Sequence, residues 1–80
     1  MIHMKQTLRE QVLQVLTYEY PEHLSNEQIA HRLDAHAASV RRVTRLLREE
    51  GLIMDIDGGY ANIPLTYQLR RPITAASTIG

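Results

Sequence analysis

The chain of 80 residues contains no cysteine, no tryptophan and no phenylalanine. Without cysteine there is neither a disulfide framework nor a thiolate metal site, so stability has to come from packing. The aromatic side chains are four tyrosines, Tyr18, Tyr20, Tyr60 and Tyr67. They are spread too widely to form a base-stacking platform, and most are expected to be partly buried in the core. No apolar run approaches the roughly 20 residues that cross a bilayer, and the stretch MIHMKQTLRE lacks the pattern of a secretory signal. A cytoplasmic protein with no membrane partner is expected.

Charge of one sign is also lacking: nine basic residues face nine acidic ones. Overall basicity therefore gives no argument for a polyanionic partner. Phosphate-cradling glycine loops, nucleophile elbows and metalloprotease helices are missing, so no enzymatic activity and no cofactor are expected. His3, His23, His31 and His36 fall at no ligand spacing, and no metal is expected. Asp55 and Asp57 are expected to project from one face of a strand, but two carboxylates alone define no catalytic site.

What remains is a chain with 44% hydrophobic and 22% charged residues, ordinary for a globular domain. Its length suits one small domain, residues 1–71, too small for a roomy enzyme cleft; residues 72–80 carry no pattern and are expected to form a flexible tail. The charges are unevenly distributed. Acidic residues outnumber basic ones five to three over residues 1–40, and basic outnumber acidic six to four over residues 41–80.

Local signals divide the domain into three helices and a hairpin. TLREQVLQVLTYEY places Leu8, Val12, Val15 and Leu16 at helical spacing, with Thr7 and Glu10 as a capping box. This helix ends near Tyr20, ahead of Pro21. A second helix is announced by Ser25 as N-cap, Gln28 as its box partner and a Leu24–Ile29 staple; Ile29, Ala30 and Leu33 form its inner face. The pattern breaks at Asp34, Ala35 and His36, then resumes at Val40, Val43 and Leu47. Gly51 takes the left-handed position after this third helix, and Leu52 folds back towards Leu47. Two alternating segments follow, LIMDI and PLTYQL, joined through Gly58 and Gly59 in a tight hairpin, with Pro64 making it irregular near residues 61–64.

On a helix turning about 100° per residue, Val40, Val43 and Leu47 share one side. Arg41, Arg45 and Ala38 lie nearly opposite, with Arg48 close by and Arg42 on one flank. Four arginines on one exposed helix face can be simple solvated surface. In the order short capped helix, three-residue turn, arginine-bearing helix and hairpin, they match an element that enters the DNA major groove.

The segment IAHRLDAHAASVRRVTRLLREEGLI, residues 29–53, resembles the core of winged helix-turn-helix DNA-binding domains of the small bacterial or phage transcriptional-regulator type. The resemblance rests on Ile29, Ala30, Leu33, Val40, Leu47, Gly51, Leu52 and Ile53, and with the flanking elements it covers roughly residues 7–70. Asp34 stands where such domains often have glycine, and His36 where serine or threonine commonly caps the next helix. Aspartate tolerates the left-handed conformation, and a neutral histidine can accept a capping hydrogen bond.

The resemblance implies an α+β fold, a three-helix winged helix-turn-helix with a C-terminal β-hairpin wing. It implies sequence-specific double-stranded DNA binding in transcription regulation, with residues 37–50 as recognition helix and 52–69 as wing. Ala37, Ala38 and Ser39 are small enough for close approach to base edges at the helix start, next to His36. Arg41 and Arg42 are then the candidates for base reading, Arg45 for base or phosphate, and Arg48 for phosphate. Ser25 and Asn26 open a helix whose free N–H groups can hold a phosphate, although simple capping explains them as well. Gly58 and Gly59 would lie on the backbone-tracking wing, and Arg70 and Arg71 beyond its far end suit either phosphate contact or a soluble tail. The alternative is a winged-helix protein-interaction module, with Leu46 and Ile56 in an exposed apolar patch; a homodimer that binds palindromic DNA, formed through helix one or the tail, is a third arrangement.

Overall fold

A computed structural model of the chain describes residues 6–71. The expected tail at 72–80 and His3 lie outside the described residues. The element order is α1 (Leu8–Tyr18), β1 (Leu24–Ser25), α2 (Asn26–Leu33), α3 (Ala37–Glu49), β2 (Ile53–Asp57) and β3 (Thr66–Leu69). Three helices thus pack with a three-stranded antiparallel sheet of order β1-β3-β2, an α+β arrangement.

Each helix begins or ends where its own sequence satisfies the free backbone groups. Thr7 and Glu10 form the reciprocal cap of α1, with Thr7 N donating to the Glu10 carboxylate at 2.9 Å. Ser25 and Gln28 repeat the device at α2, Ser25 N donating to Gln28 Oε1 at 2.8 Å. Asp34 closes α2 in the left-handed conformation, φ 53°. His36 departs from expectation. Its side chain makes no capping bond, and its backbone carbonyl receives Ser39 N at 3.0 Å and Val40 N at 3.1 Å. Helix α3 ends with Gly51 at φ 81°, Leu52 N donating to Leu47 O and Gly51 N to Arg48 O, both at 3.0 Å. These two bonds satisfy carbonyls that a helix end otherwise leaves open.

The core joins Val12 and Leu16 of α1, Ile29 and Ala30 of α2, Val40 and Leu47 of α3, and Leu24, Ile53, Tyr67 and Leu69 of the sheet. Leu33 and Val43 pack at its margin. Thr44 is also fully buried, and its hydroxyl donates to Asn26 Oδ1 at 2.7 Å. That bond gives two buried polar groups a partner where an unpaired one is costly, and it ties the middle of α3 to the start of α2.

The strands correct three expectations. First, Leu24 and Ser25 form a short strand as well as a cap, pairing with Tyr67 and Thr66. Second, the hairpin is not tight: residues 58–65 separate β2 from β3, and a narrower bridge joins Tyr60 to Ile63 around Ala61 at φ 52°. Gly58 and Gly59 do hold positive φ, 86° and 82°, and a Cβ on Gly58 would collide with the Pro64 carbonyl oxygen. Third, Asp55 pairs with Tyr67 and Asp57 with the adjacent Thr66, because a bulge lies between the two aspartates. Since neighbouring strand residues point to opposite faces, Asp55 and Asp57 do not share one.

Only Tyr67 among the tyrosines is buried, whereas Tyr18 and Tyr60 are 89% and 60% exposed. Tyr18 follows the core residue Leu16 by two positions, about 200° around the helix, which turns it to solvent. Among the described residues no helix is long and apolar enough to cross a membrane.

Leu46 and Leu47 are neighbours in sequence but 55% and 0% exposed. Leu47→Ala should cost about 2–5 kcal/mol of unfolding free energy, and Leu46→Ala less than about 0.5 kcal/mol, both read from urea denaturation. Equal losses for the two variants would contradict the packing of α3.

Candidate functional site

Helix α3 presents Ala38, Arg41, Arg42, Arg45, Leu46 and Arg48 on its exposed surface. The opposite stripe, Val40, Thr44 and Leu47, is fully enclosed. The four arginines differ in electrostatic setting. Arg48 Nη1 lies 3.1 Å from Asp55 Oδ2 of β2, and Arg41 Nη2 lies 3.9 Å from Glu27 Oε2 of α2. Arg42 and Arg45 make no ion pair among the described residues. Helix geometry accounts for the split: Arg41 and Arg48 lie about 20° apart around α3, on the flank that meets Glu27 and Asp55, and Arg45 and then Arg42 lie further round.

The other residues singled out from the sequence are distributed more widely. Ala37 and Ser39 are half-buried, and Ala38 and His36 are exposed. Ser25 and Asn26 are buried, 3% and 8% exposed; Ser25 Oγ accepts Gln28 N and Asn26 Oδ1 accepts Thr44. The oxygens of both side chains are therefore engaged internally, as is the Ser25 backbone N–H, which donates to Gln28 Oε1. Gly58 and Gly59 sit in the β2–β3 loop, where Gly58 N donates to Asp57 Oδ1 and Gly59 N to Ile63 O, both at 2.8 Å. Arg70 and Arg71 are exposed, and Arg70 N donates to Leu52 O at 3.0 Å.

Sequence reasoning missed Glu27 and Asp55 as counter-charges. The alternation Ile53-Met54-Asp55 held part of the signal, since it sets Asp55 on the same side as buried Ile53. The approach of Glu27 to Arg41 bridges two helices and has no local signature. The expected apolar patch is also divided. Leu46 and Ile56 are both exposed, but Leu46 lies about 160° around α3 from Arg48, the residue that contacts β2.

A third ion pair ties the end of α3 to α1. Arg9 of α1 donates through both terminal nitrogens to Glu50, at 2.6 and 2.7 Å. This fork-to-fork contact holds the Glu50 carboxyl below its ordinary range and the Arg9 guanidinium above its own. The Glu10 carboxyl is likewise lowered, first by the backbone hydrogen bond from Thr7 and then by the Thr7 side chain. Arg32 and Glu19 form a further pair between α2 and the end of α1, beside an open groove lined by Gln14, Val15 and Tyr18. No three His, Cys, Asp or Glu side chains come together among the described residues in a way that could hold a metal ion.

Comparison of the chain with known protein families, with curated proteins and with solved structures finds no match. An exposed row of guanidinium groups on a rigidly backed helix is suited to phosphates and to acceptor pairs on planar rings.

Because Glu10 and Glu50 are depressed in the folded state, each contributes stability that is present above the unfolded glutamate value. That contribution is lost as pH falls through the folded value. A carboxyl NMR titration should place both below the ordinary range, and Arg9→Ala should return Glu50 to it while leaving Glu10 low. An ordinary Glu50 titration in the unsubstituted protein would remove the Arg9–Glu50 contact from solution.

Proposed function

We propose that this chain is a winged helix-turn-helix domain that binds double-stranded DNA sequence-specifically and serves transcription regulation. In this reading α3 enters the major groove and the β2–β3 hairpin is the wing along the neighbouring backbone. One observation carries the proposal. Helix α3 is locked by a fully buried stripe on one side and exposes four arginines on the other, two of them, Arg42 and Arg45, without an ion-pair partner among the described residues.

Several features support the same reading. Ala37, Ala38 and Ser39 put no long side chain at the start of α3, so the helix end can approach base edges. Arg42 and Arg45 are free to donate paired N–H groups to guanine or to phosphate. Arg41 takes part in base reading after leaving Glu27, whereas Arg48, next to the wing, serves a phosphate. The long β2–β3 loop reaches beyond the core, as a backbone-tracking element requires.

A second reading draws on exposed Leu46, Met54 and Ile56, 55%, 38% and 38% accessible: a docking module for another protein or a second copy of the chain. It does not explain the unpartnered arginines, and its apolar residues do not converge on one face.

Selection from a pool of random duplexes should enrich one sequence motif. Arg42→Ala/Arg45→Ala should weaken binding to the selected duplex by about tenfold to a hundredfold and make the salt dependence shallower by about two counterions. Amide shifts on titration should cluster at residues 37–48. A pool that shows no enrichment, or no binding at low salt, overturns the proposal in favour of docking.

A further inference from the structure

Glu27 and Asp55 belong to different elements, α2 and β2, yet both reach arginines of α3. Asp55 Oδ2 receives Arg48 Nη1 at 3.1 Å, and Glu27 Oε2 lies 3.9 Å from Arg41 Nη2. All four side chains remain substantially exposed, from 42% to 61%. Neither carboxylate is needed to satisfy a buried group, and exposed pairs of this kind add little to stability. Their placement acts instead on whatever meets α3.

We infer that Glu27 and Asp55 are specificity-determining residues, which suppress binding to arbitrary polyanions while sparing recognition of the preferred duplex. The inference rests on the DNA-binding reading above. Two distance regimes give the mechanism. Non-specific attraction depends on net charge at long range and on counterion release. A carboxylate beside a guanidinium cancels its charge at that range, so two of the four arginines contribute little. Contacts in a seated duplex, to base edges at Arg41 and to a phosphate at Arg48, depend instead on N–H donors at contact distance. A guanidinium has five such donors, and Asp55 engages Arg48 through one terminal nitrogen, leaving others available.

The same carboxylates therefore penalise a loosely attached duplex more than one seated in the groove. A phosphate that approaches Arg48 or Arg41 in a duplex without base contacts meets a neighbouring anion, and no base-edge hydrogen bonds offset that repulsion. A seated duplex gains those bonds and can displace the 3.9 Å Glu27 contact. This also reconciles an arginine-rich face with a chain of zero formal net charge.

The test measures binding of the full chain to two labelled duplexes, the one selected above and a scrambled version, across a salt series. Asp55→Asn and Glu27→Gln are compared singly with Glu22→Gln, which removes the same charge from a residue that pairs with no arginine of α3. Circular dichroism verifies folding of each. Asp55→Asn and Glu27→Gln should each tighten binding to the scrambled duplex about threefold to tenfold at low salt and steepen its salt slope by about one counterion. Binding to the selected duplex should change less, so the discrimination ratio falls.

If the unsubstituted protein prefers the selected duplex but these variants bind the scrambled one no more tightly, the inference is overturned and the DNA reading stands. An equal gain for Glu22→Gln also overturns it, because charge and not placement would then be responsible. Absence of binding by every form removes both the inference and the reading beneath it.

Discussion

Enclosure of one side of α3 is the constraint on which the rest of the structure depends. Val40, Thr44 and Leu47 have no accessible surface, and they pack in a core that also takes residues from α1, α2 and the sheet. Burial of such side chains is the main favourable term in a domain of this size. A helix held on one side by three different elements cannot rotate without opening the core. Its other side is therefore displayed in one orientation, a condition for reading any shaped partner.

The Asn26–Thr44 hydrogen bond adds direction to that enclosure. Apolar contacts tolerate some sliding, whereas a buried donor and acceptor lose free energy if they separate. The bond links the first residue of α2 to the middle of α3, so the two helices are tied together well away from the turn at Asp34–His36 that already joins them. The Arg9–Glu50 fork does similar work at the far end of α3, in contact with solvent and hence more weakly. Arg45 and Arg48 lie between these two ties, and Arg41 and Arg42 stand just before the first.

Electrostatics on that surface is a balance and not a simple positive field. Glu27 and Asp55 approach two arginines, and Arg42 and Arg45 project without ion pairs among the described residues. A formal count over the chain conceals this arrangement, because a sum has no positions. Salt screens such exposed groups over about 10 Å, so what a ligand senses is the local pattern on α3 and not the total.

Much of the chain's local structure was legible in advance. Thr7-Glu10 and Ser25-Gln28 announced two helix starts, Asp34 a left-handed break and Gly51 a helix end, because each device acts within a few residues. The spacing of Val40, Val43 and Leu47 likewise separates the enclosed side of α3 from the arginine side, although Thr44 and not Val43 completes the fully enclosed stripe. Tertiary contacts decided the remainder. Leu24–Ser25 becomes a strand only because Thr66 and Tyr67 lie beside it; the bulge that parts Asp55 from Asp57 depends on the register with β3; and the meetings of Glu27 with Arg41 and Arg48 with Asp55 depend on how whole elements are oriented. Caps and periodicity are governed by backbone geometry over one or two turns, whereas strand pairing and charge proximity between elements are set by the packing of the entire domain.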